Sequence, residues 1–219
     1  MHNFKATLSG LKTLQSLAPK LVASDLPDHP VDFFSTWLQE AIDAQIPEPH
    51  AMTLSTVDEN NMPDARVLIL KDIDEEGWHF ASGKMSQKGI QLGAYPNAAL
   101  TFYWQQLGRS VRLRGPVKDL GSEKGKIDFN ARSAGARAVA LMGAQSQVLD
   151  TLDNLADSYE KSFNSLQENP SLTSEDWRVY AVQPISIEFW QGDINRCHQR
   201  VRYTNNGDTN IFDKEYLWP

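Results

Sequence analysis

The feature that most restricts what this chain can become lies near its end, where two short apolar runs are boxed in by turn residues. Trp177-Arg-Val-Tyr-Ala-Val182 and Ile185-Ser-Ile-Glu-Phe-Trp190 are separated by Gln183-Pro184 and closed by Gln191-Gly192. Runs of this length, rich in β-branched and aromatic residues and bounded by Pro and Gly, read as strands. A basic stretch follows, Arg196-Cys-His198-Gln-Arg200-Val-Arg-Tyr203. Read as a third strand, it puts Arg196, His198 and Arg200 on one face, because side chains two apart point the same way. Such a face suits an anion or a polar ring. The same spacing fits an edge strand whose cations deter aggregation.

Upstream the pattern is mixed. Residues 1–27 have weak periodicity and suit a mobile arm or a short helix. Asp28-His-Pro30 signals a helix start, and Phe34, Trp37, Leu38, Ala41 and Ile42 follow at core-facing spacing until Ile46-Pro-Glu-Pro49. Residues 51–57 and 65–71 read as a hairpin around the polar cluster 58–63. Within it, the unalternating run Val67-Leu-Ile-Leu70 predicts a strand buried on both faces, as when a barrel interior lies on one side and a partner subunit on the other, with Arg66 and Lys71 at its tips. Residues 72–77 read as a turn and 78–82 as the next strand. Ser86 is a good N-cap, so a helix is expected from about residue 87, with Lys88 in its first turn. A cation beside the positive end of a helix is unfavourable unless an anion joins it, and free N–H groups there bind anions. Ser86 and Lys88 are thus a candidate phosphate cradle; a solvated lysine is the plainer alternative.

Residues 98–104 and 110–117 form a further pair, with Val111 and Leu113 on a dry face and Arg112 and Arg114 on a wet one. Helices are expected at 122–132, 134–141 and 147–166. In the last of these, Val148, Leu152, Leu155, Ala156, Tyr159 and Phe163 make one stripe, read as core.

Composition sets limits. A chain of 219 residues with 41% hydrophobic and 22% charged residues can bury a substantial core, and no linker divides it, so residues 28–219 are expected to form a single domain. The net charge of −7 argues against nucleic-acid binding. The single cysteine, Cys197, excludes an internal disulfide and reads as packing. No apolar run reaches the roughly 18 to 20 residues of a membrane helix, which suggests a cytoplasmic protein. The five histidines show no metal-ligand spacing, and no Rossmann or Walker glycine loop is present, so no metal is expected. Short strands with intervening helices indicate an α+β, antiparallel barrel of Greek-key type with peripheral helices.

Glu188-Phe-Trp190-Gln-Gly192, then Arg196-x-His198-x-Arg200 and Leu217-x-Pro219, resemble the C-terminal motif of pyridoxamine 5′-phosphate oxidase and its relatives. The likeness continues upstream in order through Arg66-Val-Leu-Ile-Leu-Lys71, Ser86-Gln-Lys88 and Gln145-Ser146, and covers residues 30–219. It implies an FMN-binding split barrel acting as a homodimer, with flavin at the subunit interface. It further implies that Arg66, Lys88, Ser82 and Ser146 hold the FMN phosphate and ribityl chain, with Val67, Leu68, Lys71, Ala81, Gln87, Ser110, Gln145, Trp190 and Arg200 completing the cofactor environment. Lys71, Asp128 and Arg132 fall at the substrate phosphate, and Arg196 and His198, the implied catalytic pair, at the substrate ring.

Departures from the family pattern bear on the substrate. Ala81-Ser82 stands for Tyr-Thr, Gln87 for Arg and Ser110 for Gln; Asp128 replaces a Tyr and Ala136 a Ser among the usual phosphate ligands. A carboxylate 4 Å from a phosphate charge costs roughly 4 kcal/mol per unit charge pair at an effective dielectric of 20. The resemblance therefore implies an FMN-dependent oxidase that passes a hydride from substrate to flavin and then reduces O2 to H2O2, with pyridoxamine or pyridoxine 5′-phosphate as the default substrate. The alternatives are a larger non-phosphorylated ring, as in phenazine-biosynthesis relatives, and a non-catalytic flavin- or haem-binding split barrel.

Overall fold

The computed structural model describes residues 4–14, 18–207 and 211–219; of the expected N-terminal arm, residues 1–3 and 15–17 lie outside the described residues. In chain order the elements are α1 (Phe4–Ser9), α2 (Pro30–Asp43), β1 (Ala51–Val57), β2 (Pro63–Ile69), β3 (Asp72–Asp74), β4 (Gly77–Gly83), α3 (Gln87–Ala94), β5 (Asn97–Trp104) and β6 (Arg109–Asp119). Then come α4 (Gly121–Ala131), α5 (Ala134–Leu141), α6 (Leu152–Glu168), β7 (Trp177–Val182), β8 (Ser186–Gln191), β9 (Gln199–Asn205) and β10 (Phe212–Leu217). They group into two compact units that interleave in sequence, one built from residues 1–52, 101–113 and 185–219, the other from 53–100 and 114–184. β5 and β6 each run on from one unit into the other.

In the first unit the strands lie in the order β10-β9-β8-β6-β5, and β9 pairs antiparallel with both neighbours. α2 covers this sheet. His29 caps it, accepting from the Val31 N–H, and Pro30 occupies the first turn, where its missing N–H costs nothing. The buried stripe is Phe33, Phe34, Trp37 and Ala41. Phe33 stacks on Phe189 at 4.3 Å, Trp37 meets Phe189 edge-on at 5.3 Å, and Phe34 packs on Phe102 at 4.9 Å. Each such ring removes roughly 150–250 Å² from water. Phe33, passed over in the sequence reading, is in this stripe, whereas Ile42 is exposed because it lies off the 33-34-37-41 face. The helix stops at Asp43, before the prolines, as Gln45 turns left-handed at φ 55°.

In the second unit β5, β1 and β2 are neighbours, and β3, β4, β7 and β6 form a second run, with β3–β4, β4–β7 and β7–β6 all antiparallel. The β1–β2 hairpin forms as expected: Asp58 accepts from the Asn60 and Met62 N–H groups, and Asn61 takes φ 60°. In the single chain β2 is covered on one face, and the face expected to meet a partner subunit is open. Its exposure alternates, with Val67 69% exposed and Ile69 outward, while Arg66 and Leu68 turn inward. Arg66 is therefore a mid-strand, inward residue, and Lys71 lies beyond the strand end. The expected turn at 72–77 contains the short strand β3. α4 crosses β7 so closely that a Cβ on Gly125 would stand 2.2 Å from the Trp177 carbonyl oxygen.

Three further expectations fail. α6 begins at Leu152, not 147, set by Thr151, whose hydroxyl accepts from the Asn154 N–H. Its stripe is not core: Val148 and Leu152 are 96% and 81% exposed, and Leu166 is the buried residue of the helix. Periodicity shows that a helix has an apolar side without showing what covers it. Finally, β9 starts at Gln199, so Arg196 and His198 precede it in a turn, and Cys197 is exposed rather than packed.

Candidate functional site

The phosphate cradle read from Ser86 and Lys88 takes shape in the second unit. Ser86 caps α3, its Oγ accepting from the Gly89 N–H at 3.3 Å and donating to the Gly83 carbonyl at 2.7 Å. Ser82 Oγ lies 3.2 Å from the same hydroxyl. The cap needs Gly89, since a Cβ there would sit 2.3 Å from the Lys84 carbonyl oxygen. Lys88 is almost wholly buried and donates to Ser86 Oγ at 3.3 Å. Burial pushes its pKa down from 10.5, the Arg66 charge adds to this, and Asp64 opposes it. Arg66 donates to Thr56 Oγ1 at 2.6 Å and Gln91 Oε1 at 3.2 Å, and pairs with Asp64. Two cations, two hydroxyls and a helix N-terminus thus converge. That donor set fits a phosphate, which would relieve the unfavourable burial of Lys88. Ala81 is half-buried beside Ser82, while Gln87, Val67 and Ser146 are exposed.

A second cluster lies in the same unit. Lys71 Nζ and Asp128 Oδ1 are 2.8 Å apart, and Trp177 Nε1 donates to the other Asp128 oxygen at 2.8 Å. The Arg132 guanidinium lies 4.2 Å over the Trp177 ring, its Nη2 donating to the Ala136 carbonyl at 3.2 Å. Its Nε is buried without a hydrogen-bond partner. Burial lowers the Arg132 pKa, with Asp128 opposing. Arg132, Ser86 and Gln145 share a cavity of about 340 Å³ with Trp177 and the apolar residues Val139, Met142, Leu149 and Leu155.

The first unit holds the remaining expected residues. His198 lies 4.7 Å from the Trp190 ring, and its Nδ1 accepts from the Asp193 N–H at 3.1 Å. Asp193 also accepts from the Asn195 N–H at 2.7 Å and pairs with Lys20 at 2.9 Å, which builds the turn. Arg196 takes φ 66° in that turn and donates to Thr13 Oγ1 at 3.2 Å. It therefore does not share a strand face with His198 and Arg200. Arg200 is on β9, joined to Glu188 at 2.9 Å and to the Trp218 carbonyl at 2.9 Å. Ser110 Oγ donates to the Phe102 carbonyl at 3.0 Å.

Sequence reasoning missed Thr56, Asp64 and Gln91, which orient Arg66. Two signals were present: Asp64 lies two before Arg66 on one strand face, and Gln91 lies three after Lys88 on one helix face.

Comparison with known proteins agrees with this architecture. The profile for pyridoxamine 5′-phosphate oxidase matches residues 38–164, and that for the pyridoxine 5′-phosphate oxidase C-terminal dimerisation region matches residues 177–219. A pyridoxine/pyridoxamine 5′-phosphate oxidase of Burkholderia mallei (strain SAVP1) is 41% identical over 201 residues, 91% of this chain and 92% of that protein. One from Thermosynechococcus vestitus is 38% identical over 192 residues, 86% of this chain and 89% of its own. Among solved structures, PhzG from Burkholderia lata 383, in complex with tetrahydrophenazine-1-carboxylic acid, superposes with a TM-score of 0.85 at 24% identity over 93% of this chain and 100% of that one. A pyridoxamine 5′-phosphate oxidase-related, FMN binding protein of Nostoc punctiforme gives 0.68 at 16% identity over 89% and 99%. The fold is thus the antiparallel split barrel expected from the sequence. Among the described residues no helix is long and apolar enough to cross a membrane. The chain belongs to the pyridoxamine 5′-phosphate oxidase family.

Proposed function

We propose that the protein is an FMN-dependent oxidase that works as a homodimer with the cofactor at the subunit interface. The observation that carries this reading is Lys88, a buried cation beside Arg66, Ser82 and Ser86 at the start of α3. These residues would hold the FMN phosphate. Bound there, FMN would supply the acceptor for a substrate hydride, the electrons then passing to O2 to give H2O2. The outward Val67 and Ile69 of β2 offer apolar surface for a partner subunit, and the match to a dimerisation region favours the dimer.

Pyridoxamine or pyridoxine 5′-phosphate is the first substrate to test, since the curated relatives carry those names and Lys71 and Arg132 lie in one cluster. A non-phosphorylated ring is the second, favoured by the Lys71–Asp128 pair, which takes up the lysine charge a phosphate needs. His198 and Arg196 act on the substrate side. The imidazole, seated against Trp190, can accept or orient a polar group, and the exposed guanidinium can lie over an aromatic ring.

The test is the absorbance spectrum of the purified protein, followed by flavin bleaching under nitrogen with each substrate class. A colourless protein that takes up no added FMN would end this reading. Arg196→Ala and His198→Ala should each keep FMN affinity within a few-fold and lower kcat/KM by roughly 10², or about 2.7 kcal/mol. Loss of FMN with normal turnover in any surviving holoenzyme would move the pair to the cofactor.

A further inference from the structure

The tight β3–β4 hairpin gathers three metal-binding side chains that the proposed chemistry does not use. Asp72 and Asp74 are two apart on β3 and so share a face, and the antiparallel register sets His79 directly opposite Asp72. One ligand atom from each of Asp72, Asp74 and His79 lies within 4.8 Å of the others. Both carboxylates are exposed, which leaves a path for an ion from solvent.

His79 points to a ligand independently of the acidic pair. It is only 5% exposed, yet its Nε2 is buried without a hydrogen bond. Asp74 Oδ1 is 2.9 Å away, but off the line a ring N–H would need. A buried ring nitrogen that faces a carboxylate without an aligned hydrogen bond is poorly compensated for its desolvation, and a cation between the two would satisfy both. The carboxylates are already steered: Asp72 Oδ1 accepts from the Ile73 N–H and Asp74 Oδ1 from the Glu76 N–H, each at 2.8 Å. Nearby charge is limited. Lys124 Nζ stands 4.0 Å from Asp74 Oδ2, and Glu76 is engaged by Lys118 at 2.6 Å.

We infer that Asp72, Asp74 and His79 bind a divalent first-row transition ion such as Zn²⁺, which staples β3 to β4. One imidazole and two carboxylates suit zinc or its neighbours better than Ca²⁺ or Mg²⁺, which take oxygen ligands alone. Ligand atoms around a tetrahedral zinc are about 3.4 Å apart, so small carboxylate rotations close the site. The sequence expectation of no metal rested on spacing between histidines, whereas this set is Asp-x-Asp with a histidine across the hairpin. The His79 carbonyl accepts from the Lys71 N–H at 2.8 Å, so an ion holding His79 also steadies the segment bearing Lys71.

Full-length protein stripped with EDTA and titrated with ZnCl2 by calorimetry should bind one ion per chain at micromolar affinity or better, with a rise in thermal midpoint. Asp72→Asn, at an exposed position, should weaken binding at least 10-fold without changing FMN content, and His79→Gln should do the same. Ca²⁺ should not compete. Zinc uptake by the wild type no greater than by an Asp72→Asn/Asp74→Asn double variant would overturn the site, as would one-to-one binding unaffected by Asp72→Asn.

Discussion

Asp128 should govern how well the protein accepts a phosphorylated substrate. Its carboxylate is fixed from two sides, by Lys71 Nζ at 2.8 Å and by Trp177 Nε1 at 2.8 Å, so it cannot swing away from an incoming anion. A phosphate between Lys71 and Arg132 would sit about 5 Å from it, where each unit charge pair costs roughly 3 kcal/mol at an effective dielectric of 20. A dianion doubles that, and partial exposure of Lys71 cuts it by about half, leaving roughly 3 kcal/mol or about 10² in affinity. Asp128→Asn removes the charge and keeps an oxygen for the Trp177 N–H; Lys71, partly exposed, re-solvates at a cost of about 1 kcal/mol or less. Anaerobic flavin-bleaching titrations should show the variant binding pyridoxamine 5′-phosphate 10- to 100-fold more tightly than wild type, with a non-phosphorylated analogue changed by less than about 3-fold. Equal phosphate affinities in the two proteins would refute the electrostatic argument.

Lys88 gives opposite pH trends for stability and cofactor binding. Its folded pKa lies below 10.5, so between that value and 10.5 the unfolded chain binds more protons, and the FMN-free protein should gain stability as pH rises through this window. FMN affinity should fall over the same window as the lysine loses its charge; urea midpoints and FMN titrations on wild type and Lys88→Met check both, and parallel trends would contradict the assignment. Gly125→Ala should cost about 3 kcal/mol or more in urea unfolding because its Cβ meets the Trp177 carbonyl at 2.2 Å. Gly93→Ala on α3, with nothing within 4 Å, should instead stabilise by about 0.5–1 kcal/mol. Equal effects at the two glycines would show that the close crossing of α4 over β7 relaxes freely.

Much of this was legible in local chemistry. The Asp58 turn, the Ser86 cap and the Pro30 helix start carry their own hydrogen-bonding logic, and each fell where the residues put it. What failed needed knowledge of neighbours. Four consecutive apolar residues at 67–70 hide the alternation of β2, so the inward direction of Arg66 could not be read. The stripe of α6 looked like core because amphipathicity says nothing about its cover. At 193–198 a cue was present and unused: Asp193-Ile-Asn195 is an Asx-type turn, enough to break a strand before Arg196. The Lys71–Asp128 pair could be suspected from the departure at 128, but its grip by Trp177 required the packing of α4 on β7.

That packing separates where residue 128 sits from what it is. Gly125 seats the helix backbone directly on the strand backbone, and Asp128 follows one turn later beside the Trp177 indole N–H. With Asp128 at the substrate phosphate as proposed, exchange of that one side chain would alter the charge met by the substrate while leaving the contact between α4 and β7 as it is.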